Sequence, residues 1–203
     1  MIAIVDYGVG NLFSLACSFQ SLGAETEVTR KADRLHAADR IVLPGVGAFG
    51  DAMKKLNNTG LIPVLEEEAG VKPLLGICLG MQLLFEKSHE YGEHRGLGLL
   101  PGEVSDLSAD LEDPSLKVPH MGWNSLDILQ QDPIFRYVRQ GEYFYYVHSY
   151  YAKNCARNPL ATSFYGGVSV TGVVRQGNVW GTQFHPEKSG DAGLRLLRGF
   201  LEV

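Results

Sequence analysis

The sequence is poor in cysteine: Cys17, Cys78 and Cys155 are three scattered residues in 203, with no Cys-x-x-Cys pair. That argues against a disulfide framework and a thiolate metal knuckle, and leaves free thiols, one of them available for chemistry. Long apolar runs are also lacking. The longest uncharged apolar stretch, Pro73 to Phe85, has 13 residues and carries two glycines, short of the roughly 18 to 20 residues of a membrane span. Basic charge is scarce, since 18 Lys and Arg against 23 Asp and Glu give a formal charge of −5. Such a balance repels phosphate backbones and makes nucleic acid a poor main partner. The start, Met-Ile-Ala-Ile-Val-Asp, has no basic segment and no small-residue cleavage site. It reads as a first strand, not a leader, and the expected location is the cytoplasm. Internal repeats and low-complexity tracts are missing too.

What is present is a composition of 45% hydrophobic and 20% charged residues, that of a folded chain whose length suits one domain over residues 1–203. Ile2 to Val5 reads as a strand. Asn11 is placed to cap a helix with Leu12, Leu15, Ala16 and Phe19 at helical spacing, and Gly23 stops it. Glu25 to Thr29 alternates as a strand, and Ile41 to Leu43 is a buried strand entering Pro44-Gly45-Val46-Gly47. Ala48 to Leu56 and Leu61 to Ala69 are helical, Pro73 to Ile77 is again a buried strand, and Leu79 to Glu86 is an amphipathic helix. This alternation predicts an α/β fold with a mostly parallel central sheet flanked by helices.

After about residue 97 the runs become strand-like: Gly98 to Leu107, Val118 to Leu126, Glu142 to Tyr151, Leu160 to Tyr165, Val168 to Arg175 and Asn178 to Phe184. They predict additional antiparallel strands in the C-terminal half, with Asp191 to Val203 closing the fold as a helix. Charge is uneven, with 11 acidic and 3 basic residues over 61–113. Glu66, Glu67 and Glu68 read as a solvated helix face.

Three segments carry chemistry. In Gly76-Ile77-Cys78-Leu79-Gly80-Met81-Gln82 a buried strand meets a helix, with glycines two residues either side of the cysteine. This is the pattern of a nucleophile elbow, in which the helix N-terminus favours negative charge on the sulfur and on an oxyanion. A small core cysteine explains the segment taken alone nearly as well. In Phe184-His185-Pro186-Glu187, Pro186 holds His185 extended, and residues two apart project to one side, so Glu187 is placed to orient the imidazole. By itself this is an ordinary exposed turn; with Cys78 it is the base and orienter of a triad. Pro44-Gly45-Val46-Gly47 is a glycine turn with free backbone N–H groups, suited to an oxyanion strand or simply a sheet-edge loop. Asp6 to Asn11 lacks the third glycine of a dinucleotide loop and reads as a turn at the sheet's C-terminal edge.

Together these segments resemble the class I (triad) glutamine amidotransferases. Asp6 to Asn11, Pro44 to Met53, Pro119-His120-Met121-Gly122-Trp123-Asn124, His148 to Tyr151 and His185 to Ser189 are similar to one branch of that class. Its members feed ammonia to a cyclase in histidine biosynthesis. The resemblance implies glutamine hydrolysis through a thioester, with Cys78 as nucleophile, His185 as base and Glu187 as orienter. Gly45, Val46 and Leu79 would then form the oxyanion hole, and Gly47, Gln82, Glu90, Ser149 and Tyr150 would bind substrate. It implies no cofactor and no metal, and a (β/α)8-barrel cyclase subunit as partner in a heterodimer, met by Asn11, Met121, Trp123 and Lys188. From the residues alone, Met121 and Trp123 fit a core pair equally well, and Glu90 reads as an exposed helix end. His148 is expected to be structural, because it has no adjacent carboxylate. Gly45 and Gly47 are expected to loosen the turn around Val46, so that the partner could reorient its peptide.

Overall fold

The computed structural model describes residues 1–113, 115–155 and 158–203. In chain order the elements are β1 (Ile2–Val5), α1 (Leu12–Ser21), β2 (Thr26–Thr29), α2 (Ala32–Ala37), β3 (Arg40–Gly45), α3 (Phe49–Thr59) and α4 (Ile62–Ala69). Then come β4 (Leu74–Cys78), α5 (Leu79–Leu83), β5 (Phe85–Ser88), β6 (His94–Arg95), β7 (Leu100–Asp106), β8 (His120–Ser125) and β9 (Asp127–Ile128). The chain ends with β10 (Tyr143–His148), β11 (Tyr150–Lys153), β12 (Pro159–Tyr165), β13 (Val168–Gln176), β14 (Val179–Thr182) and α6 (Gly190–Leu201). No helix among the described residues is long and apolar enough to cross a membrane.

The main sheet has eight strands in the order β2-β1-β3-β4-β14-β13-β12-β9. The first five run parallel and the rest antiparallel; β14, which the sequence groups with the antiparallel C-terminal strands, lies parallel to β4 and antiparallel to β13. Period-two alternation sends the strands' apolar side chains to both faces. Ala3, Val5, Ile41, Leu43 and Leu74 meet α3, α4 and α5 through Phe49, Leu56, Leu65, Leu79 and Met81. Ile2, Ile4, Val42, Leu75, Ile77 and Trp180 meet α1 and α6 through Leu15, Phe19, Leu196, Leu197 and Phe200. A four-stranded sheet, β11-β7-β5-β6, and a pair, β10-β8, flank the main sheet.

Several predicted boundaries move for tertiary reasons. The helix expected over Leu79 to Glu86 ends at Leu83, and Phe85–Ser88 becomes a strand because β7 pairs with it in parallel. The run Glu142 to Tyr151 is two strands in different sheets, β10 on β8 and β11 on β7. Glu68, expected on a solvated face, is buried, with Lys72 Nζ 2.6 Å from Oε2 and His36 Nδ1 2.5 Å from Oε1. Glu66 and Glu67 are exposed.

The ends of β3, β4 and α5 approach more closely than side chains allow. A Cβ on Gly80 would lie 1.9 Å from the Leu43 carbonyl oxygen, one on Gly45 2.5 Å from Gly80 N, and one on Gly76 2.7 Å from Met81 Cα. Gly80→Ala is therefore expected to cost about 3 kcal/mol or more through overpacking against backbone that has nowhere to move. Urea unfolding of the variant measures the loss.

Candidate active site

Cys78 ends β4 with φ 54 and ψ −113, a backbone conformation that β4 and α5 impose on a non-glycine residue. Such positions cost roughly 1–3 kcal/mol and persist where the surrounding packing dictates them. The turn aims the thiol out of the C-terminal edge of the sheet, where the Val147 carbonyl accepts from Sγ at 3.9 Å and Gln183 Nε2 donates to it at 3.8 Å. His185 arrives from the neighbouring strand, three residues beyond β14, which pairs with β4. Its backbone N–H donates to Tyr145 O at 2.9 Å and its carbonyl accepts from Ser189 Oγ at 2.6 Å, so the segment is pinned to β10.

His185 Nδ1 lies 2.9 Å from Glu187 Oε1, and both side chains are 3% exposed. Because that bond occupies Nδ1, Nε2 is the nitrogen left for the sulfur. Burial pulls the His185 imidazole down while Cys78 and Glu187 pull it up, and the net shift is upward, to about 10. Both neighbours thus raise the basicity of the ring, which suits Nε2 to take the proton of the thiol.

A cavity of about 320 Å³ opens on the sulfur and is lined by most of the residues that the sequence singles out: Val46, Gly47, Cys78, Leu79, Gln82, Glu90, His148, Ser149, Tyr150, His185 and Lys188. Glu187 stands behind His185 and does not line it. Gly45, beside Cys78 in the β3–β4 register, does not line it. Gly45 is held by Gly80, so of the two glycines expected to loosen the Val46 turn only Gly47, at φ 96 with open space beside it, has room. The Tyr7 hydroxyl donates to Pro44 O at 2.7 Å and ties the Asp6 to Asn11 turn to this loop.

Glu90 corrects its residue-level reading. It is 8% exposed, follows β5, and accepts from the Phe49 N–H at the start of α3 at 2.5 Å. Burial raises its carboxyl above the usual carboxylate range while the Phe49 N–H pulls the other way. A cationic group entering the cavity would relieve that burial. Met121 and Trp123 are 63% and 55% exposed on the outer face of β8, so the core-pair reading fails. Asn11 borders a small neighbouring cavity with Gly45, Val46, His185 and Glu187.

Two features escaped the sequence reading. Gln183, fully buried, bonds both Gln82 and the sulfur; its place two residues before His185 was a usable signal, by the same alternation that selected Glu187. His120 is the other: it is buried, stacked between Tyr146 and Tyr165 at 4.8 and 4.1 Å, and 3.0 Å from His148.

Burial lowers His120 to about 4 and His148 to about 3. Unfolded, each ring takes up a proton below about 6.5. The unfolded chain therefore binds more protons in the window from about 6.5 down to 4, and stability falls as pH drops through it. The slope is up to about 1.4 kcal/mol per pH unit for each ring. Urea unfolding at pH about 6.5 and about 5 is expected to show this loss, and a smaller one in His148→Gln.

The class-I glutamine amidotransferase family model matches residues 3–203. The chain is 48% identical to "Imidazole glycerol phosphate synthase subunit HisH" of Listeria monocytogenes serovar 1/2a, covering 100% of this chain and 96% of that relative. It is 46% identical to the subunit of the same name from Sulfurimonas denitrificans, covering 98% and 97%. Among solved structures, a glutamine amidotransferase superposes with a TM-score of 0.76 at 22% identity, covering 100% and 98%. PurLQS from Thermotoga maritima gives 0.76 at 21%, covering 99% and 97%. At such identities the structures speak for the fold alone.

Proposed function

The chain belongs to the class-I glutamine amidotransferases, and on that premise we propose that it is the glutaminase subunit of an imidazole glycerol phosphate synthase, in histidine biosynthesis. The observation that carries the chemistry is the strained Cys78 facing a His185 whose Nδ1 is held 2.9 Å from Glu187. The observation that selects the branch is the 48% identity over the whole chain. On this reading residues 1–203 act as one cytoplasmic glutaminase domain.

Cys78 passes its proton to His185 Nε2, and the thiolate attacks the side-chain amide carbon of glutamine. The oxyanion falls to backbone N–H groups of Leu79 and of the Gly45–Val46 turn, together worth about 3–4 kcal/mol by analogy with single-donor losses. His185 returns the proton to the leaving ammonia, leaving a glutamyl thioester. A water, deprotonated by the same imidazole, cleaves the thioester to glutamate and restores the thiol. Glu187 fixes the ring throughout. Gly47, Gln82, Glu90, Ser149 and Tyr150 hold the amino-acid end, with the Glu90 carboxylate facing the α-ammonium.

Free ammonia becomes mostly ammonium in neutral water and loses its nucleophilicity, so the product needs a shielded acceptor. We place the partner, a (β/α)8-barrel cyclase subunit, over the face that carries exposed Met121 and Trp123, Lys188 and Asn11. There ammonia would enter the closure that yields imidazole glycerol phosphate and an aminoimidazole carboxamide ribotide. Exposed Met121, paired in register with Val147 of the cavity lining, and exposed Trp123 on the same strand support this placement.

The purified chain, assayed for glutamate with the cyclase and its nucleotide ligand, is expected to be strongly stimulated. Cys78→Ala should abolish release, and Glu187→Gln should lower kcat by a factor on the order of 10²–10⁴ through loss of ring orientation. A cyclase active on free ammonia but unable to stimulate the folded chain would contradict the choice of partner.

A further inference from the structure

A run of hydrogen bonds starts in the cavity wall, where Gln82, His148 and Tyr150 line it, and leads back through His120 to Asn124; its proton order is fixed by chemistry. The Tyr150 carbonyl only accepts, so His148 Nδ1, 2.9 Å away, carries a hydrogen. His148 is buried and neutral, which leaves its Nε2 as an acceptor; His120 Nδ1, 3.0 Å from it, must therefore donate. The remaining nitrogen, His120 Nε2, then accepts from Asn124 Nδ2 at 3.3 Å. Asn124 cannot be turned over. Its Nδ2 also donates to the Phe164 carbonyl at 3.0 Å, and its Oδ1 accepts from Ser125 N at 2.8 Å.

At the other end, the Tyr150 carbonyl also accepts from Gln82 Nε2 at 2.9 Å. The second Gln82 amide hydrogen goes to Gln183 Oε1 at 3.1 Å, and Gln183 Nε2 reaches the Cys78 sulfur at 3.8 Å. With both of its hydrogens committed, the group that Gln82 offers a ligand in the cavity is its oxygen, an acceptor. If the Tyr150 carbonyl shifted, as a reversed His148 tautomer would force by turning a lone pair toward it, Gln82 would lose the acceptor that orients its amide.

We propose that His120 and His148 are positioning residues, a tautomer-locked pair that holds the Tyr150 carbonyl and thereby fixes the Gln82 amide with its oxygen toward the substrate. The proposal rests on the glutaminase reading for the identity of that substrate. Alternation along β8 turns His120 and Asn124 inward while Met121 and Trp123 point out. The pair therefore also ties the exposed strand to the glutamine-binding wall. The two rings have no carboxylate beside them in this run, and their neutrality is what gives it one direction.

The test uses the full chain. Long-range proton–nitrogen NMR of wild type is expected to show both rings neutral with the hydrogen on Nδ1; either ring protonated, or carrying its hydrogen on Nε2, overturns the proposal. His120→Phe keeps an aromatic ring between Tyr146 and Tyr165 but removes the donor, whereas His120→Asn supplies a donor at the Nδ1 position. With folding checked by thermal unfolding, His120→Phe should raise KM for glutamine about tenfold, with kcat changed by less than about threefold. His120→Asn should bring KM back to within about threefold of wild type. Equal KM values in the two variants would mean that the ring only packs, and would overturn the proposal. If wild type releases no glutamate with the cyclase, the glutaminase reading fails instead. The Gln82 side-chain amide resonances, which need no turnover, then decide the pair: they move in His120→Phe and stay near wild type in His120→Asn if it positions Gln82. If His120→Phe does not fold, the wild-type tautomers decide alone.

Discussion

The backbone contact among the ends of β3, β4 and α5 is the constraint on which the site depends. Gly45, Gly76 and Gly80 have no side chains to hold these segments apart, and added Cβ atoms at Gly45 and Gly80 would fall within 2.5 Å of neighbouring backbone. That approach lets the chain turn from strand into helix within one residue, and Cys78 accepts φ 54 as the consequence. A wider turn would relax the cysteine and carry its sulfur away from the strand end where His185 arrives. Local strain at Cys78 is thus held by packing around it, as expected where geometry matters more than comfort.

The second requirement is topological. β14 lies far along the chain from β4 yet pairs with it in parallel, which brings His185 and Glu187 to the edge where β3 and β4 deliver the Val46 loop and Cys78. Ligand sites in open α/β sheets form at such C-terminal strand edges. Electrostatics then separates three buried histidines of the same intrinsic basicity. His185, between a sulfur and a carboxylate, is driven up, while His120 and His148, beside each other and without a carboxylate, are driven down. One is equipped to carry charge through a reaction, and the other two to hold hydrogens in place.

Much of this was legible in the sequence because it is written in short-range patterns. Glycines two residues either side of Cys78 announced the elbow, and the extended His-Pro-Glu spacing announced the ring and its orienter. The strand–helix alternation up to Leu79 gave the parallel sheet. The parts that escaped depend on distant pairing: Phe85–Ser88 is a strand only because β7 lies beside it, and Ser149 separates β10 from β11 only because their partners are in different sheets. Glu68 and Glu90 looked solvated because their company, Lys72 and His36 in one case and the Phe49 N–H in the other, is assembled by the fold. Met121 and Trp123 show the converse, apolar residues that hydrophobicity alone sends inward and that strand alternation leaves outside.

The central claim is that Cys78 forms a covalent glutamyl intermediate under the control of His185. Intact-mass analysis of the cyclase complex, acid-quenched during turnover of glutamine, tests it most directly. A glutamyl adduct that maps to the Cys78 peptide, and is lost in Cys78→Ala, is the predicted result. Turnover with no adduct under conditions where thioester hydrolysis is rate-limiting, or an adduct on Cys17 or Cys155, would contradict it.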